Sequence, residues 1–158
     1  LAICITMGLK DLQKLKEIGV GALFHDIGKK LIDISIINKT GALNSKEWEQ
    51  MKNHTIYGVQ LTTETILTYI PQEIILHHHE KQDGSGYPHA ISKSEIIPEV
   101  QIATVADVFD ALTSTRSYQF KRSRYEALDF IKHNLLNVKI AKEPYQALIL
   151  SLTAENKN

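Results

Sequence analysis

Apolar residues recur at three- and four-residue spacing along almost the whole of this chain, and no strand-like alternation competes with them. Leu12, Leu15, Ile18, Gly19, Ala22 and Leu23 place one apolar stripe on a helix that runs into His25-Asp26, and Gly28 is expected to help end it. Residues 30–43 read as an irregular connection. Asn44 stands three before Glu47, and Ser123 three before Glu126, so each pair predicts a capped helix start. The first opens a helix with Trp48 and Met51, and a following one is expected to carry Ile56, Val59 and Leu67. Pro71 suits the first position of the next, which ends in His77-His78-His79-Glu80, and Asp83 to Pro88 can only be a loop. Pro98 opens the strongest stripe (Ile102, Val105, Ala106, Phe109, Leu112), the Ser123 helix reaches about Leu136, and Pro144 begins a last one. The pattern predicts an all-α fold, a bundle of about five to seven helices.

The length of 158 residues suits one domain with a real core, and 43% apolar with 23% charged residues is ordinary for a folded chain. A formal net charge of zero advertises no DNA or RNA polymer as partner, although one small anion needs only a few local cations or metal ions. The single Cys4 excludes an internal disulfide and fits a reducing cytosol. No run reaches the ~18 apolar residues of a membrane span, and the apolar opening lacks the basic flank of a secretion signal. A cytoplasmic location is therefore expected, with any membrane tether belonging to a parent protein. A first residue of Leu rather than Met is what an excised domain would show.

Histidines and carboxylates cluster at the ends of apolar helices: His25-Asp26, His54, His78-His79, Glu80 and Asp107. Imidazole and carboxylate are the usual ligands of iron, manganese and zinc. Asp107 lies in the most hydrophobic segment, where a carboxylate is costly unless a cation or hydrogen bonds satisfy it, and Asp110 shares its helix face at i+3. Taken singly, each has an ordinary explanation: a hydrogen-bonded core histidine, a solvated helix end, a cap or an ion pair. Three adjacent histidines cannot all face one way. The order of these residues and their neighbours carries more weight than any one of them.

His25-Asp26-Ile27-Gly28-Lys29 resembles the HDIGK signature of the HD phosphohydrolase superfamily. His78 to Pro88 resembles the HHExxDGSGYP signature of its HD-GYP branch. Between them, Leu43 to Gly58 is similar to the LTxxEWxxMKxHxxxG segment, and Val105 to Tyr118 is similar to VADxFDALTSxRPY. Four motifs in this order, over about residues 9 to 122, identify an HD-GYP-type domain.

The resemblance implies a metal-dependent phosphodiesterase that hydrolyses cyclic di-GMP to pGpG, GMP or both, in bacterial second-messenger signalling. It implies two or three divalent ions, iron or manganese, held by His25, Asp26, His54, His78, His79 and Asp107, with Asp26 bridging. Metal-held water has its pKa lowered toward roughly 7, so no side-chain nucleophile is needed. Lys29 would reach a phosphate and, with Asp26, act in catalysis, while Tyr87, Asp110 and Arg116 would contact substrate. Glu80 is read as supporting the ligands, and His77 and His89 as incidental. The family takes a further His, and in three-metal members a Glu, from a helix preceding the segment that starts here at Leu1, so residues 1–158 are expected to form the domain without that helix. Gln119 stands where a basic residue is common, and a C-terminal Gly-x-x-Phe-Asp-Pro pattern is not recognisable around Asn137 to Tyr145, which is expected only to pack the bundle. An upstream sensory or receiver domain is the expected partner, with a GGDEF-domain protein and a homodimer left open. The alternative is a degenerate HD-GYP domain that binds cyclic di-GMP or a protein without turnover. A hybrid cyclic dinucleotide is a third substrate reading, against which the Gly-Ser-Gly-Tyr-Pro loop argues.

Overall fold

The structure, a computed structural model, describes residues 1–63, 67–114 and 122–155, and among them every regular element is helical. In chain order these are α1 (Ala2–Thr6), α2 (Leu12–Phe24), α3 (Ile34–Ile37), α4 (Ser45–Lys52), α5 (His54–Thr62), α6 (Tyr69–His77), α7 (Pro98–Thr113), α8 (Arg124–Asn134) and α9 (Lys142–Glu155). A 3₁₀ turn covers Ile27–Leu31, and an isolated bridge pairs Leu136 with Ile140. Setting aside the short α1 and α3, the helices number seven among the described residues, within the expected range. The fold is all-α.

Both predicted capping boxes form. Glu47 N–H donates to Asn44 Oδ1 at 3.0 Å while Asn44 N–H donates to Glu47 Oε2 at 2.7 Å, and Ser123 and Glu126 exchange the same two bonds ahead of α8. Pro98 is the first residue of α7, as expected. Pro71 and Pro144 are instead the third residues of α6 and α9, because the first four N–H groups of a helix have no intrahelical acceptor and proline there forfeits no bond. Leu67 lies outside α5, which ends at Thr62, and the connection over 30–43 contains the short α3, capped by Asp33.

The helices α2 and α6 lie side by side, α6 also meets α5 and α7, and α7 packs in turn against α8 and α9. Ile74, Ile75, Val100, Val105, Ile131 and Ile140 are fully buried between them, each contributing about 1.5–3 kcal/mol. The predicted stripe of α2 is narrower than its spacing suggested. Ile18 is buried, but Leu12 is 72% and Leu23 75% exposed, because α2 buries only the side that meets α6 and α7.

Gly28 does not end a helix: α2 stops at Phe24, and Gly28 sits buried inside the 3₁₀ turn. Its place is dictated by contact. A Cβ there would overlap the backbone of His54 and Gly58, so only glycine lets the turn after His25-Asp26 press onto α5. Gly28→Ala is expected to lower unfolding free energy by about 3 kcal/mol or more, read from the urea midpoint. An unchanged midpoint would mean that the turn can retreat from α5 at no cost.

Candidate metal centre

Three helix ends and one turn converge on Asp26. His25 caps the C-terminus of α2, His54 opens α5, and His78 caps α6 with His79 following it. Each of the first three imidazoles is oriented by a backbone carbonyl three or four residues before it. His25 Nδ1 lies 2.7 Å from Ala22 O, His54 Nδ1 2.7 Å from Met51 O, and His78 Nδ1 3.1 Å from both Ile74 O and Ile75 O. A carbonyl only accepts, so Nδ1 carries the proton in each ring and Nε2 presents a lone pair when the ring is neutral.

Those lone pairs point at one carboxylate. His54 Nε2 and His78 Nε2 are 3.4 Å apart, and lie 3.4 and 3.9 Å from Asp26 Oδ1. The other oxygen, Oδ2, is 3.3 Å from His25 Nε2 and 2.6 Å from Lys29 Nζ. His25 Nε2 in turn lies 3.7 Å from Asp107 Oδ1 on α7. His79 completes the group: one donor atom each from Asp26, His54, His78 and His79 falls within 4.8 Å of the others. Its ring lies 4.0 Å from that of His78 and 4.7 Å from that of Tyr87.

Burial sets the charge states. It drives the His78 pKa down to about 3, with neighbouring His25 and His54 adding to the effect, and it lowers His54 and His79 too. These rings are neutral near pH 7. Burial opposes charge at His25 and Asp26 as well, but there it loses. The His25–Asp26 hydrogen bond, with Lys29 beside the carboxylate, raises His25 above its ordinary pKa and holds Asp26 well below the carboxylate range. An ionised carboxylate therefore faces neutral imidazole lone pairs, and its buried Oδ1 has no hydrogen-bond partner. Acceptors aimed at one another repel unless a cation stands among them. The residues present fit a divalent metal, with Asp26 offering one oxygen toward His54 and His78 and the other toward His25.

The surroundings hold this geometry. Thr104, one turn before Asp107 on α7, donates its hydroxyl to His78 O at 2.9 Å. Glu80 is 1% exposed, and its Oε1 accepts the backbone N–H of His89 at 2.7 Å, closing the loop between them. A Cβ on Gly86 would overlap the backbone of residues 79 to 81, so that loop lies directly against the histidine-bearing turn. His77 faces away and meets Glu73 and His89, each at 3.1 Å. His89 thus matters through its backbone, as the anchor for Glu80.

Asp107 and Asp110 share a face, but it is not a buried one. Asp110 is exposed and accepts Ser114 Oγ at 2.9 Å, and both aspartates line an open cavity of about 200 Å³ with Ala22, His25, His78 and Ala106. Val105 turns to the core while this side of α7 faces the gap beside α2. Lys29 stands half-exposed over Asp26, and Tyr87 packs on His79 with burial raising its pKa. Arg116, Tyr118 and Gln119 lie outside the described residues. Lys52, Lys81 and Lys139 were assigned no role from sequence, yet they line a second cavity beside His79. Lys139 belongs to the segment expected only to pack the bundle. Its carbonyl accepts Gln82 N–H at 3.2 Å, which brings that segment to the site.

The HD domain family model matches residues 1–140. This chain belongs to the HD domain family. The HHExxDGSGYP run places it in the HD-GYP branch. It is 43% identical over 97 residues to 3'3'-cGAMP-specific phosphodiesterase 2 of Vibrio cholerae, covering 60% of this chain and 19% of that protein. It is 39% identical over 123 residues to a cyclic di-GMP phosphodiesterase of Thermotoga maritima, covering 77% and 33%. The fold matches that of Bd1817, a HDG"Y"P protein from Bdellovibrio bacteriovorus, with TM-score 0.75 and 21% identity, over 96% of this chain and 48% of that one. The HD-GYP chain thus spans a third or less of the length of these two curated relatives.

The orphaned Asp26 oxygen yields a direct test. Mn(II) binding measured by equilibrium dialysis is expected to weaken at least ~10-fold in Asp26→Ala and in His54→Ala, as loss of a ligand or of its orientation does elsewhere. Equal binding by Asp26→Ala would show that the four donors do not form the metal site.

Proposed function

We propose that this domain hydrolyses cyclic dinucleotides, cyclic di-GMP first among them, to pGpG, GMP or both. The observation that carries the reading is the ionised, unpartnered Asp26 Oδ1 facing the neutral Nε2 atoms of His54 and His78. Relatives whose names state this activity support it. His25, Asp26, His54, His78, His79 and Asp107 would hold two or three divalent ions, iron or manganese. When bound, the ions lower the pKa of water toward about 7 and offset charge on the phosphoryl oxygens.

The chain's own groups supply the rest. Asp26 spans the two halves of the donor set and stays ionised beside Lys29 and His25. The Lys29 ammonium, already at the mouth of the site, turns from Asp26 Oδ2 to a phosphate oxygen as substrate enters. Water adds to phosphorus, the bond from phosphorus to O3′ breaks, and O3′ takes a proton, which leaves linear pGpG with a 5′-phosphate. Asp110 and Tyr87 line two cavities that adjoin this centre and would orient the substrate, with Arg116 as a further phosphate contact. The same reading places the domain in the bacterial cytoplasm behind a sensory or receiver domain. Among the described residues no helix is long and apolar enough to cross a membrane.

A second substrate, 3'3'-cGAMP, is favoured by the 43% identity to a protein named as specific for it. Relatives with either name match most of this chain.

An anaerobic turnover assay with Mn(II) or Fe(II), and chromatographic analysis of products, checks the reading. His25→Ala and Asp107→Ala are each expected to lose at least ~100-fold in kcat, within the ~10⁶-fold or larger accelerations typical of enzymes. Full activity in either variant would sink the assignment. Tight binding without cleavage under any metal, in a chain extended upstream, would instead establish the non-catalytic alternative.

A further inference from the structure

Neither His77 nor His89 belongs to the group of donors around Asp26, yet the fold brings their rings together across twelve positions of chain. His77 Nε2 stands 3.1 Å from His89 Nδ1, with ring centroids 5.3 Å apart and planes inclined at 60°. The other nitrogen of His77, Nδ1, lies 3.1 Å from Glu73 Oε2, one turn earlier on α6. A carboxylate only accepts, so Nδ1 carries the proton and Nε2 turns a lone pair toward His89 when the ring is neutral. A histidine that gives one N–H to a carboxylate and its other nitrogen to a metal is a common arrangement, because the carboxylate fixes the tautomer and makes the ring more basic.

The spacing of the two rings suits a metal as well. Two imidazole nitrogens held ~2.0–2.1 Å from one zinc ion, near the tetrahedral angle, stand about 3.3 Å apart. An ion between His77 Nε2 and His89 Nδ1 therefore needs them to separate only slightly from 3.1 Å. Both rings are already positioned by the protein. His77 is the last residue of α6 and is buried, while His89 is pinned by its own N–H to Glu80 Oε1 at 2.7 Å. Ala90, which follows it, has φ +54°, a left-handed conformation that a residue with a side chain keeps only where its surroundings hold it. Access is open, since His89 is exposed and Glu73 half-buried.

We propose that His77 Nε2 and His89 Nδ1 form a second metal site for a divalent cation of the zinc class, with Glu73 orienting His77 and water filling the remaining positions. Imidazole ligands suit zinc, copper and nickel, whereas magnesium and calcium take oxygen. The ion takes the place of the hydrogen bond between the rings, and His89 carries its proton on Nε2 instead of Nδ1. Such an ion joins the end of α6 to the residue just after Gly86-Tyr87-Pro88, so it clips the loop that bears Tyr87 onto the helix that leads into His78. The site is independent of any reaction at Asp26, because it uses side chains that the other centre leaves aside.

Zinc uptake by the full chain at saturation, measured by competition with a chromophoric chelator, tests the site. His89→Ala keeps the backbone N–H that Glu80 accepts, and should bind one Zn(II) fewer than the wild type while Mn(II) binding in equilibrium dialysis is unchanged. Glu73→Ala should keep the zinc count but weaken that ion at least ~10-fold, the effect of losing a carboxylate behind a ligating histidine. His133→Ala, which removes the exposed histidine beside Asp129 on α8, should alter neither count nor affinity. In the wild type, ring nitrogen NMR should show the His89 proton on Nε2 once zinc is added. Equal zinc uptake by His89→Ala overturns the proposal. So does a His89 Nδ1 that keeps its proton at saturating zinc, or a loss of zinc matched by a loss of Mn(II), which would trace the effect to the Asp26 centre.

Discussion

Everything around the centre of this fold is arranged about one ionised carboxylate with an oxygen that no hydrogen bond satisfies. Asp26 Oδ1 is buried, and the groups nearest it are imidazole nitrogens whose protons have been committed elsewhere. That commitment is made by secondary structure. Met51, Ile74 and Ile75 lie three or four residues before the histidine concerned, so the last turn of the preceding helix, α4 for His54 and α6 for His78, orients each ring by accepting the Nδ1 proton. Desolvation then keeps the rings neutral, since the near-complete burial of His54 and His78 disfavours imidazolium. A cation is the one partner that relieves both the carboxylate and the lone pairs.

The constraint propagates outward. Asp26 can reach His54 only because Gly28 lets the following turn touch the backbone of α5, and the rings of His78 and His79 can stand together only because Gly86 leaves room for the turn that bears them. Glu80, buried with one oxygen on His89 N–H, ties the far end of that loop back to the same turn. Two glycines and one buried acid thus translate a linear motif into a loop of defined path. Aspartates from α7 line one adjoining cavity, and lysines from three separate segments line another.

Much of this was legible without coordinates. The helix starts at Asn44, Pro98 and Ser123 depend on interactions within one turn, and the local sequence contains both partners. The residues His25, Asp26, His54, His78, His79 and Asp107 could be picked out because their motifs are contiguous and follow one another in a known order. Less legible were the features that depend on what packs against what. Leu12 and Leu23 have the spacing of core residues, yet they stay exposed because α2 meets neighbours on one side only. Asp107 and Asp110 sit in an apolar stretch, yet they line a cavity while Val105 on the same helix is buried.

What the sequence determined by itself was the set of helices, their caps and the identity of the histidines and carboxylates gathered at their ends. Those features rest on periodicity and on short-range bonds, which need no neighbour to be known. Tertiary structure alone decided which oxygen of Asp26 would be left unsatisfied, which histidine of the run 77–79 would turn away, and that Lys139 would join Lys52 and Lys81 around one cavity. The reason is physical. Charge and desolvation act through space, and the separation along the chain of two ammonium groups says nothing about the field they will share once α4, α6 and the approach to α9 have been brought together by burial of the core.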